Sequence, residues 1–149
     1  MAEGYSTGRL SASQVDIAFL LIETAKIGLS PADWKQFCAR ILEWRGATGL
    51  HDDVFVTVNI HGHVKGVCVL QVTQSLLLGR VLDVPVFVGI SAGDEDGVVA
   101  ALLDAVKDYA RGAGCGQVRI WTPGHESLAR VLGPSPTAAR FSGALIRIE

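Results

Sequence analysis

The chain has 149 residues, enough for one domain whose core needs no disulfide or metal staple. Thirteen Lys and Arg against fifteen Asp and Glu leave a net charge of −2 with no basic tract, so the electrostatic footprint of a nucleic-acid binder is absent. Hydrophobic residues make up 49% and mean hydropathy is +0.35, yet no apolar run approaches the ~20 residues that cross a bilayer, and the surplus is expected to cover a subunit interface.

An extended segment from Tyr5 to Leu10 comes first. Ser13-Gln-Val-Asp16 has the spacing of a capping box and predicts a helix through Lys26, with Ile17, Leu20 and Leu21 facing inward and Gly28 beyond its end. Ser30-Pro-Ala-Asp33 repeats the start signal with Pro31 at the first helical position. Trp34, Phe37, Cys38 and Ile41 then recur at helical spacing.

From Val54 the period becomes two. Val54, Val56, Val58 and Ile60 alternate with Phe55, Thr57 and Asn59, the chain turns over His61-Gly-His-Val-Lys-Gly66, and Val67 to Thr73 completes a hairpin. Gln74 to Arg80 is expected to turn again. Val81 to Ile90 is almost wholly apolar, as suits a strand buried on both faces. Gly89 to Leu103 leads from that strand through an acidic, glycine-punctuated loop into a helix running from Gly97 to Arg111. Val98, Ala101, Leu102, Ala105, Val106 and Tyr109 form its apolar stripe, opposite Asp104, Lys107, Asp108 and Arg111. Gly112-Ala-Gly114 ends it, and Gln117 to Trp121 is the next strand. A short helix is predicted from Glu126 to Leu132, Gly133-Pro-Ser-Pro136 breaks it, and Ala144 to Ile148 reads as a final strand.

Cys38, Cys68 and Cys115 are odd in number, widely spaced and set among apolar neighbours, which suits buried, reduced thiols of a cytosolic protein; a catalytic thiol is the alternative. His61-Gly-His63 offers two imidazoles from one turn, but no third ligand lies at metal-site spacing, and a solvated hairpin tip is the reading adopted. Met-Ala-Glu-Gly-Tyr5 shows neither a charged nor an apolar signal region, so a cytoplasmic location is expected.

This order of elements resembles the fold of the GNAT-type N-acyltransferases. The resemblance is carried by Arg9-Leu-Ser-Ala-Ser-Gln-Val-Asp16, His63-Val-Lys-Gly-Val67, Leu102-Leu103 and Ala113-Gly-Cys115, in that sequence. It implies a single α/β (α+β) domain over residues 1–149, with a mixed, mostly antiparallel sheet flanked by helices and two splayed central strands. Residues 54–90 would form three antiparallel strands, with 117–121 parallel to the third. It further implies transfer of an acyl group from acetyl-CoA or another acyl-CoA to a small-molecule amine, with no metal. The pantetheine would lie along Val88, Gly89 and Ile90, and the pyrophosphate on backbone N–H groups around Gly97, Val98 and Val99, at the positive end of a helix.

The family loop reads arginine or glutamine, two residues, glycine, one residue, glycine or alanine. Aligned through Leu102-Leu103, Asp94 stands at the arginine or glutamine, Gly97 at the first glycine and Val99 at the second. Asp94, Glu95 and Asp96 would then face the pyrophosphate, and as N-terminal acids they are expected to cap the orphan N–H groups themselves. The tyrosine that family members often use as general acid falls on Ala129, and Asp83 and His125 are the candidate general bases by position. The alternative function is a noncatalytic binding or assembly module with a degenerate loop. Family members usually close with a paired hairpin, whereas one apolar strand, Gly143-Ala-Leu-Ile-Arg-Ile148, ends this chain; pairing across a homodimer is expected.

Overall fold

The computed structural model describes residues 4–45, 52–121 and 144–148. They form six strands, β1 (Ser6–Arg9), β2 (Asp53–Val58), β3 (Val64–Ser75), β4 (Gly79–Gly89), β5 (Gln117–Ile120) and β6 (Ala144–Arg147). Three helices accompany them: α1 (Val15–Thr24), α2 (Pro31–Trp44) and α3 (Glu95–Gly112). The strands make one sheet in chain order. Every neighbouring pair is antiparallel except β4 with β5, which run parallel across the α3 crossover. The mixed, mostly antiparallel sheet expected from the sequence is therefore present.

α2 starts where the sequence places it. Ser30 Oγ accepts from the Asp33 N–H at 3.1 Å, Pro31 occupies the first turn, and Trp34, Cys38 and Ile41 are buried. α1 departs from expectation. Ser11, not Ser13, opens the region: its N–H donates to Gln14 Oε1 at 2.9 Å, and a short 3-10 turn precedes Val15. Trp34 Nε1 donates to the Val15 carbonyl at 2.8 Å, and the face turned inward is Ala18, Leu21 and Ile22. Ile17 and Leu20, expected inside, stay 42% and 52% exposed.

The β3–β4 turn is tighter than the seven-residue segment expected, because β3 runs to Ser75 and β4 starts at Gly79. Leu76 and Leu77 stand fully exposed at its tip. α3 begins two residues early, and its buried face is wider than the expected stripe, adding Val99, Leu103 and Ala110. Gly114, at φ +71°, ends it as expected, with its N–H donated to the Arg111 carbonyl.

Two cores flank the sheet. Under α3 lie Cys68, Leu70, Leu82, Val84, Phe87, Leu102, Leu103, Val106, Val118 and Ile120. Under α1 and α2 lie Leu10, Ile22, Trp34, Ile41, Val54, Val67, Val69, Val86 and Val88. β4 supplies both by its alternation, which slips once. Gln71 pairs with Asp83 and Val69 with Val86, so Leu70 alone faces both Val84 and Pro85. That extra residue is a β-bulge, a position where proline's missing N–H does little harm. A buried ion cluster ties the end of α2 to the first strands: Asp53, 4% exposed, receives Arg45 at 2.9 Å and Arg9 at 3.0 Å, while Arg45 also donates to the Leu10 carbonyl.

The predicted helix at 126–132, the Gly133-Pro-Ser-Pro136 break and His125 all lie outside the described residues.

Candidate functional site

The site is built on the bulge. β5 pairs with β4 only over Val81–Val84, and the Val84 carbonyl accepts from the Trp121 N–H at 3.0 Å. β4 itself continues to Gly89, past its last ladder partner on β5. On the other edge it stays paired with β3, and the Ile90 N–H donates to the Lys65 carbonyl at 2.8 Å. By the alternation of an antiparallel pair, the Gly89 N–H points toward the edge of β4 opposite β3, beyond the described β5 ladder. Of Val88, Gly89 and Ile90, the three expected to run beside a pantetheine, Ile90 thus has its amide committed to the sheet. Val88 faces the α1/α2 core, and the Gly89 N–H is turned to the edge away from β3.

Beneath the bulge, α2 and the sheet border a half-open hollow of about 350 Å³. Leu29, Phe37, Pro85 and Val86 give it apolar walls, and Asp33, Arg40 and Gln71 bring polar groups to it. Arg40 is held over the rings of Phe37 and Trp44, 5.7 and 5.8 Å from their centroids. A few polar groups set in an apolar hollow is the usual anatomy of a small-molecule site. The sequence reading missed this hollow; Pro85 inside an otherwise continuous strand was the signal that could have located it.

Asp83 lies on β4 just before the bulge, surrounded by donors. Arg119 Nε and one guanidinium nitrogen reach its two oxygens at 2.5 and 2.8 Å, Thr73 Oγ1 donates at 2.9 Å, and Trp121 Nε1 at 3.2 Å. Burial pushes the carboxyl pKa up, but the hydrogen bonds from Arg119, Trp121 and Thr73, with the Arg119 charge, outweigh it and hold the group below the usual carboxylate range. The same pairing raises the Arg119 pKa. A carboxylate so stabilised accepts a proton poorly. It serves instead as a clamp joining β4 to β5 near the end of their described ladder.

The loop after β4 turns through Gly93, at φ +92°, into Asp94, the N-cap of α3. The expected self-capping is not what Asp94 does: its side chain makes no cap hydrogen bond. Its carboxylate folds over the first turn, and a Cβ placed on Gly97 would lie 2.6 and 2.8 Å from the two oxygens. Tyr5, 89 residues earlier in the chain, donates its hydroxyl to Asp94 Oδ2 at 2.8 Å. The hydrogen bond to Asp94 is the main reason the Tyr5 phenol titrates above its ordinary value. Val98 and Val99 are buried, packed toward Gly89, and Gly66 and Gly89 leave just enough room for α3 to approach the sheet. The loop, with a carboxylate over Gly97 and two more acids in the first turn, does not fit a pyrophosphate.

The remaining candidates do not converge on this region. Cys38, Cys68 and Cys115 are free and buried. Burial pushes the Cys38 and Cys68 thiols up to about 12 and raises Cys115 as well, so none is a ready nucleophile. His61 and His63 are exposed at the hairpin tip, and among the described residues no three His, Cys, Asp or Glu side chains gather as a metal site. No described helix is long and apolar enough to cross a membrane.

No family model matches this sequence, and no curated protein matches it either. Solved structures do. AAC(6')-Iy, in complex with the bisubstrate analog CoA-S-monomethyl-acetylneamine, is similar with a TM-score of 0.67 at 14% identity, over 86% of this chain and 86% of that one. The chain has the GNAT acyltransferase fold. Glucosamine-6-phosphate N-acetyltransferase from Arabidopsis thaliana agrees, with a TM-score of 0.60 at 14% identity over 79% of this chain and 82% of its own. So does spermidine N-acetyltransferase from Vibrio cholerae, in complex with CoA and spermine, with a TM-score of 0.58 at 10% identity over 78% and 70% of the two chains. At these identities the likeness speaks for the GNAT fold and not for an acceptor.

Proposed function

We propose that this chain is an N-acyltransferase that takes an acyl thioester of the coenzyme A class along β4 and a small-molecule amine in the cavity beside α2. The observation that carries the reading is the hollow of about 350 Å³ between α2 and the sheet, bordered by Pro85 at the bulge and by Val86, close to where the described β4–β5 ladder ends. The GNAT-fold neighbours bound to CoA, a CoA bisubstrate analog and spermine support the choice of ligands. In this chain Leu29, Phe37 and Val86 would exclude water, and Asp33 offers a negative charge to a protonated amine. The amine nitrogen attacks the thioester carbonyl, the C–N bond forms as the C–S bond breaks, and the thiol departs with the displaced proton. Asp83 positions the strands in this scheme, leaving His125 as the proposed base. A homodimer, proposed from the composition, would cover Leu76 and Leu77; a monomer in light scattering at micromolar concentration refutes it.

A second reading, a noncatalytic binding module, is favoured by one observation, the Asp94 carboxylate over Gly97. Thiol release from acetyl-CoA and acetyl-pantetheine, measured against polyamines, amino sugars, aminoglycosides and peptide N-termini, separates the two. Turnover with one acceptor class, weakened by Asp33→Ala chiefly through KM and by His125→Ala chiefly through kcat, is expected. A thioester that binds without turnover for any acceptor leaves the binding module standing and the enzyme refuted.

A further inference from the structure

The groove along β4 and the loop at its end disagree about the same ligand. In the proposed reading β4 would run beside the pantetheine arm of a coenzyme A thioester, whereas the loop already holds a carboxylate where the pyrophosphate would lie. Resting on the thioester reading above, we infer that Asp94 is a specificity-determining residue: held by Tyr5, its carboxylate fills the anion position at the start of α3 and selects pantetheine thioesters that bring no pyrophosphate there.

Three observations carry this. The two Asp94 oxygens lie 2.6 and 2.8 Å from the place a Gly97 Cβ would take, so the surface freed by the absent side chain is filled from within the chain. The carboxylate makes no cap hydrogen bond, so its position is not dictated by the needs of the helix end. What fixes it is the Tyr5 hydroxyl at 2.8 Å, supplied from the start of β1 across 89 residues of sequence. Glu95 and Asp96 in the same first turn add further negative charge, so displacing Asp94 alone does not make the surroundings neutral. Beyond the loop, the described residues from Val86 to Ile90 carry no charged side chain, and the Gly89 N–H points away from β3.

Calorimetric titration of the full chain with coenzyme A and with pantetheine tests the inference. Wild type should bind pantetheine at least as tightly as coenzyme A. Asp94→Ser should tighten coenzyme A by about tenfold while leaving pantetheine unchanged, because one like charge beside the pyrophosphate is gone. Tyr5→Phe, which frees the carboxylate without removing it, should tighten coenzyme A by roughly threefold, on the scale of one lost hydrogen bond. Thermal melts establish that each variant is folded. Wild type preferring coenzyme A by about tenfold or more, or a folded Asp94→Ser protein with an unchanged ratio of the two affinities, overturns the inference and leaves the transferase reading intact. No binding of either ligand to either protein overturns the groove itself, and the inference with it.

Discussion

The two faces of the sheet follow different rules. Under α3 the packing is dry and closed: Phe87, Leu102, Val106, Val118 and Ile120 are all buried, and Gly66 and Gly89 let the helix sit so close that any Cβ there would press on Val98, Val99 or Leu102. Under α1 and α2 the face begins equally apolar, but toward β5 it gives way to the cavity and to the Asp83–Arg119 pair. Both faces hold the fold together, and the second also borders a half-open hollow. The difference is paid by no single residue type, since both faces draw their side chains from the same strand, β4.

Paired truncations should break the molecule on one side and merely dent it on the other. Phe87→Ala, which empties a fully buried position under α3, is expected to cost about 3–5 kcal/mol in urea denaturation, whereas Phe37→Ala at the cavity wall should cost nearer about 1 kcal/mol. Equal losses would mean that the second face is packed as tightly as the first. Asp83→Asn comes next, at about 2 kcal/mol, because charge-assisted hydrogen bonds to Arg119 are weakened. The folded Asp83 pKa lies below its unfolded value of about 3.9, so its contribution is complete above that pH and is lost as pH falls through the folded value. Comparing wild type with Asp83→Asn at pH 7 and near pH 2 should therefore show the gap closing in acid; a gap that persists there would show that the clamp is not ionic.

The smallest effect is kinetic. Burial pushes Cys38 and Cys68 up to about 12, above an unfolded value near about 8.5, so the stability they contribute is full below that pH and declines as pH rises toward the folded value. At pH 8 the folded protein should react with a thiol reagent far more slowly than in urea. Cys38, on the face with the cavity, should be modified before Cys68, under α3. The reverse order would exchange the roles assigned to the two faces.

Much of this architecture is legible in local pattern. The alternation from Val54, the apolar run at Val81 and the stripe from Val98 to Tyr109 depend on near neighbours, and β2, β3, β4 and α3 appear where they point, except that β2 ends at Val58 and Ile60 stands in the turn, 77% exposed. α2 is legible because Ser30 and Pro31 act within one turn. α1 is not, because its rotation is set by Trp34, 19 residues away, through the Val15 carbonyl. The site is harder still. Asp83 reads as a free carboxylate until Arg119, 36 residues on, is brought beside it. Asp94 reads as a helix cap until Tyr5 arrives from the opposite end of the chain. Proximity in space assigned both roles, and no spacing in the sequence encodes it.

The bulge at Pro85 makes the groove a matter of chain length and not of composition. Leu82, Val84 and Phe87 contribute to one core while Val86 and Val88 contribute to the other. Removing Pro85 alone would leave each of them on its present side in an unbroken strand. Point substitution can therefore roughen, charge or narrow the opening, yet it cannot erase it, while losing one codon could. A lineage carrying this strand can exchange donors, acceptors or even catalysis by drift and still retain a cleft in which a new chemistry can start.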